Sequence, residues 1–257
     1  MSGGGARSAA GKQGPYRRPE SSRAQSGDVS VHRDRALARD VGAVVGERPE
    51  LVLAALTLEV HGGVVHARGR VASAAAVREL RTVLHRVRGV HAVWDLLQVE
   101  GRRPLRVLDV GCGATKQVAD AIGLDREPYP GVDVVADLER PLPLADGAVD
   151  HVFAIHLLEH VHNLLPLLNE LHRVLRPDGV LHVIVPHHGF VNAWADPTHV
   201  RYFHPQTFKF VCRPYPGMRP FFPCGVSAST DNIYADLEPV DGSRPLASEE
   251  ELARFFD

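Results

Sequence analysis

Leu105-Arg106-Val107-Leu108-Asp109-Val110-Gly111-Cys112-Gly113-Ala114-Thr115 is the stretch whose reading decides the fold. The apolar run up to Val110 predicts a buried strand, and the Gly-Cys-Gly after it predicts a turn where backbone can approach a ligand. Acidic residues then end the next two apolar runs. Asp125 closes Ile122 to Asp125, and Asp137 closes Val132 to Asp137. Carboxylates at successive strand ends beyond a Gly turn suit a nucleoside, with one acid for ribose hydroxyls and another for an adenine amine. The spacing argues against a dinucleotide. Lys116 stands where a third Gly belongs, and Asp125 follows Gly111 by 14 residues, room for barely two helical turns.

Downstream, strands and helices alternate as in a parallel sheet, with strands expected at 105–110, 121–125, 132–136, 148–155 and 180–185. Asn163 is the expected cap of a helix carrying Leu164, Leu168, Leu171 and Leu175 on one face, and Pro177-Asp178-Gly179 is its expected end. A short helix is expected from Pro205 to Val211, closing strands within Val226 to Val240, and a tail over 241–257 that ends in a short helix. Upstream, residues 34–99 read as a small α+β module of order αββαβ. Its strands are Leu51 to Val60, Val64 to Val71 and Val90 to Val99, with His61-Gly62-Gly63 as the hairpin turn. Ser73 caps a helix with Val77, Leu80, Leu84 and Val87 on one face, and Gly89 stops it. Residues 1–33 carry too few large apolar side chains to offset ordering and are expected to be a disordered tail. Residues 100–104 are a polar linker to the larger domain, 105–240.

Composition narrows the function. A net charge of -2 over 257 residues argues against general nucleic-acid binding by the whole molecule. Three cysteines make no disulfide framework, no apolar run is long enough to span a bilayer, and no signal-peptide core is evident, so a cytoplasmic location is expected. Lys occurs only at Lys12, Lys116 and Lys209 among many Arg, a bias that fits a GC-rich genome. The 15 His are not explained that way.

Several motifs together carry a resemblance: Leu108-Asp109-Val110-Gly111-Cys112-Gly113, Gly123-Leu124-Asp125, Ala136-Asp137-Leu138, Val149-Asp150-His151-Val152, Leu157 to Val161 and Leu175 to Val180. As a set over residues 105–210 they resemble class I S-adenosylmethionine-dependent methyltransferases, of the small type 11-like kind. The resemblance implies a Rossmann-like doubly wound α/β sheet and S-adenosyl-L-methionine as cofactor. It implies that Asp109, Gly111 and Gly113 line the methionine end, that Asp125 takes the ribose, and that Asp137 with Leu138 takes the adenine. His156 is then placed near the sulfonium. Residues 34–99 resemble a BON domain, chiefly at Gly69, Gly89 and Val90, and that resemblance implies a protein or membrane-surface partner without chemistry of its own.

His156-Leu157-Leu158-Glu159-His160 also spells the H-x-x-E-H string of inverted zinc peptidases, but it directly follows a strand of a nucleotide-binding fold. A second metal reading comes from ubiquinone-biosynthesis and small-RNA 2'-O-methyltransferases, which carry Glu-x-x-Glu-His here. By that likeness His156, Glu159 and His160 with a later His, from Asp196-Pro197-Thr198-His199 or from Pro186-His187-His188, are tentative ligands of a divalent ion. Without metal, an oxygen nucleophile profits from a base that titrates near neutrality, which points to His. His199, His160 and His187 are the catalytic candidates, with His188 and His204 in the same segment and Trp194, Tyr202 and Phe203 as expected walls of an acceptor pocket. The expected acceptor is oxygen, ahead of nitrogen, on a small molecule or sugar. The alternative is a non-catalytic methyltransferase-like binding protein that works through its N-terminal module.

Overall fold

The computed structural model describes residues 20–49, 54–242 and 244–256. Its larger sheet is built from β4 (Val107–Val110), β5 (Ile122–Asp125), β6 (Val134–Val135), β7 (Val149–Ile155), β8 (Leu175–Pro186), β9 (Phe221–Ala228) and β10 (Asn232–Pro239). They are ordered β6-β5-β4-β7-β8-β10-β9, and β10 is antiparallel to both of its neighbours. This is the mostly parallel, Rossmann-like α/β sheet that the motifs led one to expect, with the strand order reversing beside β4. Ligands of open α/β sheets bind beyond the strands' carboxyl ends at such a reversal.

Side chains alternate across this sheet. Leu181, Val183 and Val185 of β8 and Ile233, Ala235 and Leu237 of β10 share one core with α3 (Leu164–Val174), α5 (Pro205–Val211) and α6 (Glu249–Phe256). That face is conventional. The opposite face corrects the doubly wound expectation, because residues 111–148 form no helix and the crossovers β4–β5, β5–β6 and β6–β7 are loops. Gly123, Pro128, Pro130, Gly131, Pro141, Pro143 and Gly147 punctuate that stretch, which has no apolar repeat at helical spacing.

The upstream module takes the place of the missing helices. It runs α1 (Glu20–Gly46), β1 (Ala54–His61), β2 (Val64–Val71), α2 (Ala74–His85) and β3 (Ala92–Val99), with β1 antiparallel and β3 parallel to β2. The order αββαβ is as expected, and Ser73 Oγ caps α2 by accepting from Ala76 N at 3.2 Å. One side of its sheet packs on Leu37, Val41, Leu80 and Leu84 from its own helices. The other side lays Val64, Ala92 and Trp94 on Phe153, Ile184 and Tyr234 of the larger sheet. The Trp94 indole meets the Phe153 ring edge-on at 4.9 Å, and His91 stacks on Tyr234 at 4.9 Å. The two units therefore share a core.

Buried charge runs through this contact. Asp236 on β10 accepts from His182 Nδ1 at 2.8 Å and from the backbone N–H of Val93 at 2.7 Å, while His85 Nε2 stands 3.0 Å away. Arg81 of α2 pairs with Asp95 at 2.7 Å and also with Glu238. His182 meets His151 Nδ1 through Nε2 at 3.1 Å. Burial alone would push Asp236 up, but His182 and His85 hold it well below the usual carboxylate range.

Other expectations need correction in detail. Residues 1–19 and 50–53 lie outside the described residues, but the stretch expected to be a tail already enters α1 at Glu20. Asn163 makes no side-chain cap; the Glu139 carboxylate accepts from His162 N and Asn163 N at 2.7 and 2.9 Å instead. The strand expected from 180 begins at Leu175, with a register irregularity where Pro177 to Gly179 pass β7. A short α4 (Val191–Ala195) was not anticipated. The C-terminal segment 241–257 ends in α6 as expected, and Leu252 and Phe256 are core residues.

Two outcomes follow from the shared core. Trp94→Ala should cost about 3–5 kcal/mol in urea unfolding, and the intact chain should unfold in one transition, where independent domains would give two. Burial pushes the His151 imidazole from 6.5 down to about 4, so between those values the unfolded chain binds a proton that the folded protein does not. Stability should therefore be full above about pH 6.5 and fall as pH drops toward 4, by about 3 kcal/mol. His151→Asn should flatten that slope in urea titrations run at stepped pH.

Candidate functional site

The Gly turn hangs from β4. Gly111 and Gly113 both lie in the left-handed region, at φ 66° and 57°. A Cβ on Gly111 would come within 2.5 Å of the Leu157 side chain, so that position demands glycine twice over. Gly113 meets nothing within 4 Å, and its side of the turn is open. Asp125, at the end of β5, accepts from Gly113 N at 2.9 Å and from Glu127 N at 3.1 Å. The carboxylate thus fixes the turn and keeps lone pairs to spare.

Asp109 is buried, and Gln117 N donates to it at 2.6 Å. Burial pushes its carboxyl up to about 6 against the opposing pull of that hydrogen bond and of Lys116. The loop beyond is pinned by Lys116 Nζ, which donates to Ala121 O at 2.8 Å and to Asp133 at 2.6 Å. Asp137 lies just past β6, exposed, accepting from Glu139 N at 3.0 Å beside Arg140. Leu138 packs partly against the main core.

His156 follows β7 directly and is the one non-glycine among the described residues with positive φ, at 51°. Such backbone persists only where surroundings over-determine it. Here His156 N donates to Ile184 O at 2.8 Å, and its Nδ1 lies 3.4 Å from the Glu159 carboxylate. Glu159 is 1% exposed, and neither of its carboxylate oxygens has a hydrogen-bond partner. A bare buried carboxylate is costly unless something cationic meets it.

The segment from Asp196 to Phe203 folds over this spot. Val200 N donates to Glu159 O at 2.9 Å, and Arg201 binds Val161 O and His162 O at 3.0 and 2.7 Å. His160 and His199 meet at 4.7 Å between ring centres. His199 Nδ1 sits 2.9 Å from Ala193 O, so it carries the proton there and leaves Nε2 as an acceptor. His160 Nδ1 is 3.0 Å from Thr198 Oγ1. One donor atom each from Glu159, His160 and His199 lie within 4.8 Å of one another. A carboxylate with two imidazoles, one held by a backbone carbonyl, is a donor set suited to a divalent transition ion.

His187 is not brought into this group. Its ring lies tilted against His188 at 4.4 Å, and His188 is 4.8 Å from His204, while His204 caps α5 through Nδ1. Trp194 and Tyr202 form an exposed stack at 3.7 Å. Phe203 departs from expectation: it is a core residue against Phe208 rather than a pocket wall. Thr198, Arg201 and Glu139 were missed as organisers. Only the adjacency of Thr198 and Arg201 to His199 hinted at them, and nothing linked Glu139 to the start of α3.

Known proteins bear on this geometry. A probable S-adenosylmethionine-dependent methyltransferase of Mycolicibacterium smegmatis is 36% identical over 96 residues, which is 31% of this chain. The chain spans 37% of that relative's length. Among solved structures, a SAM-dependent methyltransferase from Aquifex aeolicus aligns at 19% identity and TM-score 0.42, over 53% of this chain and 82% of its own. The 1,6-didemethyltoxoflavin-N1-methyltransferase of Burkholderia thailandensis, bound to 1,6-didemethyltoxoflavin and S-adenosylhomocysteine, aligns at 17% identity and TM-score 0.42, over 54% and 72%. Residues 108–183 match the family profile described as a methyltransferase domain, and they span β4 through most of β8 with the Gly turn and the Glu159 segment inside. Over residues 108–183 the chain is therefore similar to methyltransferase domains.

Proposed function

We propose that the protein transfers a methyl group from S-adenosyl-L-methionine to oxygen, ahead of nitrogen, on a small molecule or sugar. The observation that carries this reading is the open Gly turn tied by Gly113 N to Asp125 at the reversal of strand order. Asp109, Gly111 and Gly113 would hold the methionine end, Asp125 the ribose, and Asp137 with Leu138 the adenine. The strained His156 would face the reacting centre. Methyl transfer from a sulfonium needs mainly in-line positioning, since the donor is already activated.

On the acceptor side, Glu159, His160 and His199 would hold a divalent ion, and the orphaned Glu159 carboxylate supports that choice. Such an ion supplies Lewis acidity that lowers the pKa of an acceptor hydroxyl. His199, whose Nδ1 faces the Ala193 carbonyl, presents Nε2 as the alternative acceptor of that hydroxyl's proton. Trp194 and Tyr202 offer a flat apolar wall beside it. The αββαβ order supports reading residues 34–99 as BON-like, although one side of that sheet is used up in packing on the methyltransferase sheet. Three free thiols support a cytoplasmic setting, and no described helix is long and apolar enough to cross a membrane.

Calorimetric titration with S-adenosyl-L-methionine should show saturable binding by the intact chain, and no binding ends the enzyme reading. Because the Asp109 carboxyl is held up to about 6, it is neutral below that pH and loses its pull on a cationic ligand. Affinity should therefore fall as pH drops through about 6, and Asp109→Asn should bind at least about tenfold more weakly at pH 7.5. For the ion, elemental analysis should find about one divalent metal per chain and none in Glu159→Gln. Full methyl transfer in EDTA would remove the metal and leave His199.

A further inference from the structure

A second concave space lies away from the Gly turn. A cavity of about 570 Å³ opens between α2, the edge strand β9 and α6. It lies four strand spacings from β4, about 19 Å across the sheet, so it is separate from the site above. On α2, Arg78, Arg81, Thr82, His85 and Arg86 recur at helical spacing and turn one face toward it. Arg244 and Arg254 face it from the other side.

The charges do not cancel. Glu238 and Glu251 are the carboxylates of the lining, and both are committed. Glu238 is shared by Arg81 and Arg244, while Glu251 accepts from Ser248 N and Oγ at the start of α6 at 2.8 and 2.9 Å. Arg254 pairs outside the cavity with Glu250 at 2.7 Å. Arg78 and Arg86 make no ion pair among the described residues, and both are exposed at the cavity mouth. Burial and the fields of Arg81 and Arg78 hold the Arg244 guanidinium below its ordinary value, which reflects crowded positive charge. His85 Nε2 is buried at the cavity floor without a well-aligned hydrogen bond, despite Asp236 at 3.0 Å.

The walls are otherwise apolar. Val90, Val226 and Phe255 line the space, and Phe222 carries the Arg244 guanidinium 3.8 Å above its ring. Guanidinium groups stay charged at any working pH and match the paired oxygens of a phosphoryl group. The volume falls within the range that encloses a small organic ligand. We infer that this cavity is a second ligand site, which takes a small phosphorylated organic molecule in the field of Arg78, Arg86 and Arg244, with its phosphoryl group nearest Arg78 and Arg244. Since one wall belongs to the N-terminal module and the other to the methyltransferase sheet, the ligand bridges the two units.

The probes are ribose 5-phosphate, inorganic phosphate and vesicles of phosphatidylglycerol, each offered to the intact chain. Ribose 5-phosphate should bind saturably and more tightly than inorganic phosphate, and the Arg78→Ala/Arg86→Ala double variant should bind it at least about tenfold more weakly. Both substituted arginines are exposed, and S-adenosyl-L-methionine titration on the same samples reports the other site separately. Unchanged binding in the double variant, no binding of ribose 5-phosphate, or equal affinity for inorganic phosphate would each overturn the assignment. Capture by vesicles in place of soluble binding would overturn it in favour of a lipid headgroup.

Discussion

Asp236 is the group on which the two halves of the molecule close. It sits in the antiparallel strand β10, buried, and takes a backbone N–H from β3 in the module together with His182 from β8. A carboxylate in that place is tolerable only while those donors surround it, and the donors are satisfied only while it is there. The constraint is geometric as well as energetic. It fixes β3 over β8 and β10, sets Trp94 against Phe153, and orients α2 so that Arg81 reaches Glu238. Apolar packing alone would let two flat sheets slide; this contact gives them a register.

The same arrangement explains how the larger sheet survives without helices on one face. Parallel sheets need cover on both sides. Here the cover is a three-stranded sheet with its own helices behind it, contributed by chain that precedes the Gly turn. The crossovers between β4 and β7 are turn-rich, and they leave Asp125 partly exposed and Asp137 exposed while Asp109 stays buried.

Much of this was legible in the residues, for identifiable reasons. The large-sheet strands and α3 were readable because apolar runs and the Leu stripe are local signals. The acids at strand ends were readable because turn chemistry does not place three of them in succession. The meeting of Glu159 with His199 was only half legible: both residues stood out, but their approach depends on Arg201 and Val200 holding backbone forty residues away. The missing helices were misjudged because a short spacing between Gly111 and Asp125 reads equally as a cramped helix or as none. The buried ionic contact was illegible, since Asp95, Asp236 and Glu238 look like ordinary polar residues of half-exposed strands until a second sheet covers them. Phe203 failed for the converse reason, because an aromatic beside histidines gives no sign of which way it points.

The helix-free crossovers also shape how the chain reaches this state. A helix between parallel strands normally forms early and holds its neighbours while they pair. Between β4 and β7 there is no such local nucleus, so pairing of β6, β5 and β4 must wait for distant partners. The upstream module, by contrast, has a tight hairpin and an amphipathic helix of its own, and it leaves the ribosome first. Its completed sheet can then serve as the template on which the later strands condense, and this makes assembly of the larger sheet a matter of sequence order in time.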